Sequence, residues 1–477
     1  MLTEFSLRAN EAEANPSKSH NRYIDVKEYG AKGDGIADDT EFIQNAIDEL
    51  SESGGVLYFP GGNYRITKRL LVGGSHPRPN KVINYIEIAG AGKNASRLLG
   101  DGVDYIIGAK TVLNEKTGKR TITHGFSIRD VTLAPFLNAN SDNGCGGIDA
   151  SYMIRWSVRN CHFVGLKTGI YSVQRAEMPA DVPDALAVYI IRIHDNLFYG
   201  CGDYAIKLGR IFDLSIENNE IEHGSGGIKI GETGDGFDAA ANNIRIVNNV
   251  IEGLGWNRPA ISGSCWIGSR IVGNYFEANE GGDIELIAGE KDGWIRSVTI
   301  ASNTFQPNKR QREGSYGPIK LSKAFDTILT ANFTTGANLL HPESSSLGRG
   351  VNLISNTLNN PAEIGDIAGA RSGDPEDYAG TISQFTQQAE QWTVSGPVGS
   401  VGIHSMFGVR FQPKGQEPRS LQYGSSAPTD NVMRRQAGEI IFNLKPSLSK
   451  DNKILLGWVC TESGAPGVWR AFSAEAQ

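Results

Sequence analysis

The sequence predicts an all-β fold, a parallel β-helix built from a repeated coil, on the strength of three observations. Glycine occurs 58 times in 477 residues without a collagen period, which indicates many tight turns. After residue 50, apolar residues form short runs of Ile, Val and Leu interrupted by Asn and Gly rather than helical patterns. A short apolar run ending in Asn then recurs at intervals typical of solenoid proteins.

The repeat is clearest in the segments IHDN, IENN, IVNN, IVGN and IASN. These end at Asn196, Asn219, Asn249, Asn274 and Asn303, with looser copies ending at Asn160, Asn332 and Asn356. Most copies are followed by a Gly-containing turn and an Ile-x-apolar strand, which predicts two strands per coil. Such a unit cannot bury its apolar face alone, so equivalent strands stack in parallel about 4.8 Å apart over residues 75 to 360. A β-sandwich is the alternative, but the two-residue Asn-Gly turns of its hairpins are scarce.

Asparagine suits the end of each run because it tolerates a left-handed backbone and its side chain bonds local amides. Before the repeats, Asp38 or Asp39 is expected to cap a helix over Thr40 to Leu50. Its apolar face, which would cover the open end of the solenoid, comprises Phe42, Ile43, Ala46, Ile47 and Leu50. Asp34, Asp38 and Asp39 are interpreted as turn and cap residues rather than a metal-binding loop.

This entry segment resembles the pectate-lyase-like superfamily that includes bacteriophage tailspike depolymerases. The resemblance is carried by YGAKGDG from Tyr29, by DDT from Asp38, by Gly54-Gly55 and by FPGGNY from Phe59. It implies a right-handed β-helix with an N-terminal capping helix. The motif does not distinguish hydrolases, lyases and inert adhesins, which look similar here.

Three domains are predicted: a flexible N-terminal arm over 1–22, the capping segment and β-helix over 23–375, and a C-terminal β-rich oligomerisation module over 376–477. The last stretch resembles the C-terminal segments of tailspike-like proteins, which implies a homotrimer. Residues 1–22 would then contact a virion tail or baseplate. No signal peptide is visible, and the expected location is a virion tail or the extracellular space.

Charge and cysteine content exclude several classes of function. The net charge of −7 argues against nucleic-acid binding, and the sequence has no apolar stretch long enough for membrane insertion. The five cysteines lie far apart, without the spacing of a disulfide framework or a zinc site, and no metal site is predicted.

The candidate catalytic residues lie three positions after successive asparagines, where Glu222, Glu252 and Glu277 are expected to stack in one column. The same count from Asn196 and Asn160 places Tyr199 and then Phe163 next in this column. Stacked carboxylates repel each other, so one of them should titrate at a raised pKa. An acid and a carboxylate side by side are what glycoside hydrolysis requires. Adjacent members of the column suit retention of configuration, and the outer pair suits inversion.

Residues for substrate binding are predicted from other columns and loops. The middle of the Ile-x-apolar strand carries Tyr171, Lys207, Lys229 and Glu285, and further candidates are Tyr199, Asp235, Asp238 and Trp256. If the two columns border one groove, its cations and aromatic rings would hold an anionic sugar chain. A third column, four residues before each Asn, contains Arg192, Ser215, Arg245, Arg270 and Thr299.

The leading hypothesis is a polysaccharide depolymerase that cleaves a bacterial capsular or exopolysaccharide as an endo-acting glycoside hydrolase without a cofactor. The first alternative is a polysaccharide lyase that acts by β-elimination on a uronate-containing glycan, with either calcium or Arg supplying the positive field at the uronate. The second is a non-catalytic adhesin that binds glycan in the same groove. Product analysis separates the three.

Overall fold

A computed structural model describes most of the chain. The described residues are 22–73, 85–111, 113–114, 118–120, 122–136, 144–172, 188–231, 241–255, 258–288, 294–307, 317–335, 339–341, 343–344, 347, 351–354, 356–358, 395–396, 399–405, 408–413, 419–427, 429, 435–443, 445–446 and 451–475. The predicted arm over 1–22 and the predicted boundary at 375 lie almost wholly outside them, so both stay predictions.

Parallel strands stack into three long sheets, here named A, B and C. Sheet A contains Tyr23–Asp25, Gly55–Phe59, Ile86–Gly90, Thr123–Arg129, Met153–Arg159, Val188–His194, Ile211–Glu217, Ala241–Val247, Arg270–Val272, Thr299–Ala301, Ile328–Thr330 and Asn352–Ile354, with Trp266–Ile267, Ile295–Arg296 and Ala324–Phe325 beside this path. Sheet B contains Asp34–Asp38, Gly62–Ile66, Ser96–Gly100, Thr132–Pro135, His162–Val164, Leu197–Tyr199, Glu220–Glu222, Val250–Glu252, Tyr275–Glu277, Thr304–Gln306, Phe333–Thr334 and Thr357–Leu358. Sheet C contains Leu70–Val72, Tyr105–Ala109, Gly146–Asp149, Ile170–Tyr171, Ile206–Leu208, Ile228–Ile230, Ile261–Ser264, Ile284–Ile287 and Ile319–Ser322.

The predicted parallel β-helix is confirmed, but each coil has three strands rather than two. The segment that ends in Asn contains a strand of sheet A, a two-residue turn and the start of sheet B, as in Ile211–Glu217 followed by Glu220–Glu222. The prediction of two strands was wrong because the apolar alternation runs almost without interruption through this turn. The interior is filled by stacked aliphatic residues and by aromatic pairs such as Phe163 and Phe198, whose rings stack 4.6 Å apart.

The repeated asparagines form a buried ladder inside the turn between sheets A and B. Asn249 is 1% exposed, its side-chain amide donates to Asn274 Oδ1 at 2.9 Å, and its own Oδ1 accepts from the backbone and side chain of Asn219. The left-handed conformation is adopted by the residue immediately before each ladder asparagine, as at Asn248 with φ 56°. The expectation of amide bonding is confirmed, whereas the left-handed conformation belongs to the preceding position.

The predicted helix runs over Thr40–Ser53, and its buried face closes onto the first coils of the solenoid. Phe42 departs from the predicted face because it is 41% exposed and packs beside Gly30. Asp39 occupies the N-cap position but makes no cap bond; its carboxylate accepts from the amides of Lys32 and Gly33. Asp38 accepts from the Thr40 amide at 3.0 Å. These aspartates are therefore turn residues, as expected.

The C-terminal part contains a separate, mostly antiparallel sheet. Its strands are Ser395–Gly396, Gly399–Ser405, Gly408–Pro413, Arg419–Gly424, Ile440–Asn443, Lys453–Glu462 and Val468–Glu475. A β-rich module in this region was predicted. The remaining elements are the short antiparallel pair Leu113–Asn114 and Lys119–Arg120. Within the described residues, no helix has the length and apolarity needed to cross a bilayer.

Candidate functional site

Glu222, Glu252 and Glu277 occupy one column on the outer face of sheet B. The strand register pairs Glu222 with Glu252 and Glu252 with Glu277, so adjacent backbones lie about 4.8 Å apart. Glu222 and Glu252 are half-buried, and Glu277 is exposed. Tyr199 is the next member of the column on one side, as predicted, and Gln306 on the other. The three carboxylates therefore point outward from a common line on the wall.

The middle carboxylate of this column titrates differently from an ordinary glutamate. Partial burial, reinforced by the charges of Glu222 and Glu277, raises the pKa of Glu252. At the end of the column, the Tyr275 hydroxyl donates to Glu277 Oε2 at 2.7 Å, and this bond raises the pKa of Tyr275 to about 12. The column thus combines Glu252, whose carboxyl group holds its proton more strongly than usual, with Glu277, whose carboxylate accepts a hydrogen bond from the Tyr275 phenol.

His223 lies beside the column in a strained conformation. Its φ of 53° is at a turn position that glycine takes in neighbouring coils, as at Gly200 and Gly253. The imidazole stands edge-on to Tyr199 at 5.4 Å, and it lies against Gly253, where an added Cβ would come within 2.8 Å of its Nδ1. Its positive charge, when present, would lower the pKa of Glu252.

One predicted member of the column is misplaced. Phe163 was expected next to Tyr199, but the register pairs Val164 with Tyr199 and buries Phe163 in the core against Phe198. The reason is that Asn160 is not a ladder residue. It has the left-handed φ of 49° that precedes the ladder, and Cys161 holds the equivalent position by donating its amide to Asn196.

The second predicted column lies on the outer face of sheet C. The register aligns Tyr171 with Lys207, Lys207 with Lys229, and Ser262 with Glu285. All of these side chains are half-buried. Glu285 pairs with Lys320 at 3.5 Å across the next coil. The sequence therefore located this line of polar side chains correctly.

Three residues in the connections beside the middle of sheet C were not predicted from the sequence. Asp203 holds both Lys207, at 3.2 Å, and Arg258, at 3.0 Å. Arg258 and Lys229 both lie over the ring of Tyr204, at 5.4 and 5.9 Å from its centre. Asp203 and Tyr204 come shortly before the Ile-x-apolar strand, so counting backward from that motif would have found them. Arg258 is in a longer connection with no repeat signal.

Tyr204 is nearly buried, at 8% exposure. Burial raises the pKa of its hydroxyl, while Ser262 and the charge of Arg258 act in the opposite direction. The phenol therefore keeps its proton at neutral pH. Lys229 differs from its neighbour Lys207, because no carboxylate among the described residues lies within ion-pair distance of it. Within the described part of sheet C and its connections, an ammonium without a paired carboxylate thus lies next to a protonated phenol.

Aromatic and charged side chains continue along the same face toward the N-terminal end. Tyr105 and Tyr171 stack with ring centres 5.4 Å apart, and Arg69 lies over the Tyr105 ring. Arg69 also pairs with Asp149 at 2.8 Å and with Asp104. A stacked aromatic pair beside charged groups is the kind of surface on which sugar rings bind.

Connection lengths distinguish sheet C from the rest of the wall. Between sheets A and B the turn has two residues in every coil from Thr123–Arg129 onward, as at 218–219 and 248–249. Connections on either side of sheet C differ in length between the same coils: 209–210 and 231–240 are examples on one side, and 223–227 and 307–318 on the other. Variable loops on both edges are where a binding cleft is expected to form.

The predicted single groove, with Lys207 and Lys229 flanking the glutamates, is not supported by the contacts. The groups that shift the pKa of Glu252 all belong to sheet B or its turn, and Lys207 and Lys229 instead contact Asp203 and Tyr204. Asp235, Asp238 and Trp256 lie outside the described residues. Among the described residues, no group of three or more His, Cys, Asp or Glu side chains is arranged to hold a metal ion.

Residues 23–255 match the family model described as rhamnogalacturonase A/epimerase, pectate lyase-like. Alginate lyase 7 of Azotobacter vinelandii is 30% identical over 217 residues, which cover 42% of this chain and 22% of the lyase. The preneck appendage protein of Bacillus phage PZA is 26% identical over 159 residues, covering 27% of this chain and 18% of that protein. The chain thus spans about a fifth of the length of these curated relatives.

Among solved structures, the tailspike protein of Acinetobacter baumannii phage AM24 superposes with a TM-score of 0.55 at 18% identity. The match covers 71% of this chain and 54% of the tailspike. At this identity, the likeness concerns the fold alone.

Proposed function

We propose that the chain depolymerises an acidic polysaccharide, binding it over sheet C and cleaving it by β-elimination; the premise is the match of residues 23–255 to a pectate lyase-like family model. The similarity to an alginate lyase supports this choice of reaction over hydrolysis. The expected substrate is a uronate-containing glycan of a bacterial surface, since only a sugar with a carboxyl group can undergo this elimination.

The observation that carries the proposal is the position of Lys229. It stands in the outer column of sheet C without a carboxylate partner among the described residues, next to Tyr204 and Arg258. A half-buried ammonium with no counter-ion is costly unless an anion completes the site. A uronate carboxylate is the anion that a polysaccharide would supply.

Elimination removes the proton on the carbon next to the carboxyl group. The electron pair of that C–H bond forms a carbon–carbon double bond as the glycosidic C–O bond breaks, and the leaving oxygen takes up a proton. Lys229, beside the bound carboxylate, would stabilise the negative charge that develops during proton removal. Asp203, held between Lys207 and Arg258, would accept the proton removed from carbon. Tyr204, which keeps its proton at neutral pH, would donate to the leaving oxygen, and the proton on Asp203 would then return to the Tyr204 phenolate through solvent.

Product analysis on a panel of acidic bacterial glycans tests this reaction. We expect new reducing ends together with absorbance in the unsaturated-uronate band, and product masses lower by one water than those of hydrolysis products. Reducing ends without that absorbance would contradict elimination. Binding without any shortening of the glycan would contradict enzymatic function and indicate an adhesin.

Hydrolysis at the glutamate column is the second candidate, and the raised pKa of Glu252 favours it. Glu252 would protonate the leaving oxygen, and Glu222 or Glu277 would attack or activate water. The spacing of adjacent members, about 4.8 Å between backbones, is close to that of retaining enzymes. This candidate predicts that Glu252→Gln abolishes cleavage, whereas elimination over sheet C predicts near-normal cleavage.

We also propose that the chain works as a homotrimer on a virion tail. The partial similarity to a phage preneck appendage protein and the tailspike-like fold support this assignment. The C-terminal sheet would provide the oligomerisation module, because symmetric association buries the flanks of a solenoid.

A further inference from the structure

A pocket on the outer face of sheet A belongs to neither candidate site. It has a volume of about 180 Å³ and is lined by Ile190, Ile191, Arg192, Asp213, Leu214, Ser215, Asn243 and Arg245. Its residues come from three successive strands, Val188–His194, Ile211–Glu217 and Ala241–Val247, which pair in register.

The pocket is rich in positive charge. Arg192, Ser215 and Arg245 follow one another in a single outward column, and Arg270 is the next member beyond Arg245. Stacked like charges destabilise a sheet unless a counter-ion intervenes. Within the described part of the chain, none of the three exposed arginines makes an ion pair.

Acidic groups near these arginines are already engaged. The Asp213 carboxylate, which lines the pocket, accepts from Asn243 Nδ2 at 2.7 Å, and Glu217 accepts from the Ser215 hydroxyl. The lining itself carries two guanidinium groups against one carboxylate. The balance of charge therefore favours an anionic ligand.

An apolar side chain is exposed at the same place. Ile190 has φ 57°, and the residues aligned with it in the next two coils, Asp213 and Asn243, have φ 57° and 54°, so this left-handed bend recurs from coil to coil. Isoleucine is an unusual residue at a positive φ, and its side chain is 41% exposed. Ile190 therefore presents an apolar surface beside Arg192 at the rim of the pocket.

We propose that this pocket is a second, non-catalytic subsite that binds a uronate unit of an acidic glycan. The two guanidinium groups would hold the carboxylate, and Ile190 would contact the apolar face of the sugar ring. The choice of a uronate rests on the proposed function, whereas the anion site itself does not. A subsite on sheet A, distinct from sheet C, would keep the chain attached to a long glycan between cleavage events.

Calorimetric titration of the full chain with a galacturonate trimer tests the proposal. We expect two classes of binding site in the wild type. In the variant Arg192→Gln/Arg245→Gln, the affinity of the trimer for the pocket on sheet A should fall about tenfold or more, so that one class is lost. The matched control is Arg97→Gln/Arg470→Gln, which removes the same charge from exposed positions on other sheets. It should keep both classes.

A second readout avoids any dependence on the folding of a variant. On the wild-type chain, the trimer should shield Arg192 and Arg245 from phenylglyoxal, as read by peptide mass spectrometry, while neutral maltotriose should not. Unchanged binding in the double variant, equal protection by maltotriose, or equal protection by inorganic phosphate alone would overturn the proposal. The binding test does not depend on catalysis. If the chain cleaves no glycan but the double variant still loses one class of binding site, the subsite is supported and only the proposed reaction fails.

Discussion

At the scale of single residues, the repeat made some side chains predictable and left others hidden. Counting from Asn219, Asn249 and Asn274 placed the three glutamates in one column, because the parallel register repeats the same offset in each coil. Asp203 was missed although it precedes the strand Ile206–Leu208 by only three residues. Arg258 was missed because it lies in a longer connection, where the repeat does not fix the spacing. Side chains on or next to strands can be located by counting from the repeat, whereas those in long connections require coordinates.

The raised pKa of Glu252 predicts how stability depends on pH. A carboxyl whose pKa is higher in the folded chain favours folding when protonated, and this contribution is lost as the pH rises through the folded-state pKa. Glu252→Gln should therefore unfold at a higher temperature than the wild type at pH 7. We expect a gain below about 1 kcal/mol, because the site is partly solvated.

The gain in stability of Glu252→Gln should disappear below pH 4.5, the ordinary pKa of a glutamate side chain. Thermal unfolding followed by circular dichroism across this range is the measurement. Glu41→Gln, at an exposed helical position, serves as the control and should show no such dependence. If Glu252→Gln were less stable than the wild type at pH 7, the ionised Glu252 side chain would be stabilising the fold, which would contradict the predicted repulsion within the column.

At the scale of elements, the turn between sheets A and B is set by two adjacent residues with different tasks. The first, such as Asn248, adopts the left-handed conformation, and the second, such as Asn249, bonds inside the turn. The sequence revealed the turn because both positions favour Asn. The sequence did not show which of the two positions adopts the left-handed conformation and which bonds inside the turn. It also did not separate the strands of sheets A and B, because the turn between them is only two residues long and the apolar alternation continues across it.

Asn249→Ala should be strongly destabilising. The substitution leaves the buried Asn219 amide without its acceptor and removes donors to Ile216 O and Asn274 Oδ1. We expect a loss of about 2–4 kcal/mol in the free energy of unfolding, measured from urea denaturation. Asn248→Gly is the matched control, because Gly273 occupies the same position in the next coil with φ 69°. Equal effects of the two changes would refute the distinction between them.

At the scale of the whole molecule, the fold was predictable because a solenoid repeats one local solution many times. The entry motif and the coils pointed to the same architecture, and the match over residues 23–255 agrees with both. Function was less predictable, since the solenoid offers three outer faces and the sequence does not say which loops surround a cleft. The glutamate column led to the hypothesis of hydrolysis, whereas the similarity to an alginate lyase supports the proposal of elimination.

Trimer assembly is a prediction at this scale. Sedimentation equilibrium should give a mass three times that of the 51.5 kDa chain. Removal of residues 376–477 should lower that mass to one chain if the C-terminal sheet provides the contacts. A full-length monomer over the concentrations at which the chain cleaves glycan would contradict the trimer.

The most direct test of the central claim compares Lys229→Met with Glu252→Gln in one assay of glycan cleavage, with folding checked by circular dichroism. If the acidic glycan reacts over sheet C, Lys229→Met should lower kcat/KM by about a hundredfold or more, and Glu252→Gln should change it less than about threefold. The opposite ranking, with Glu252→Gln inactive and Lys229→Met near normal, would contradict the account and place the reaction on the glutamate column.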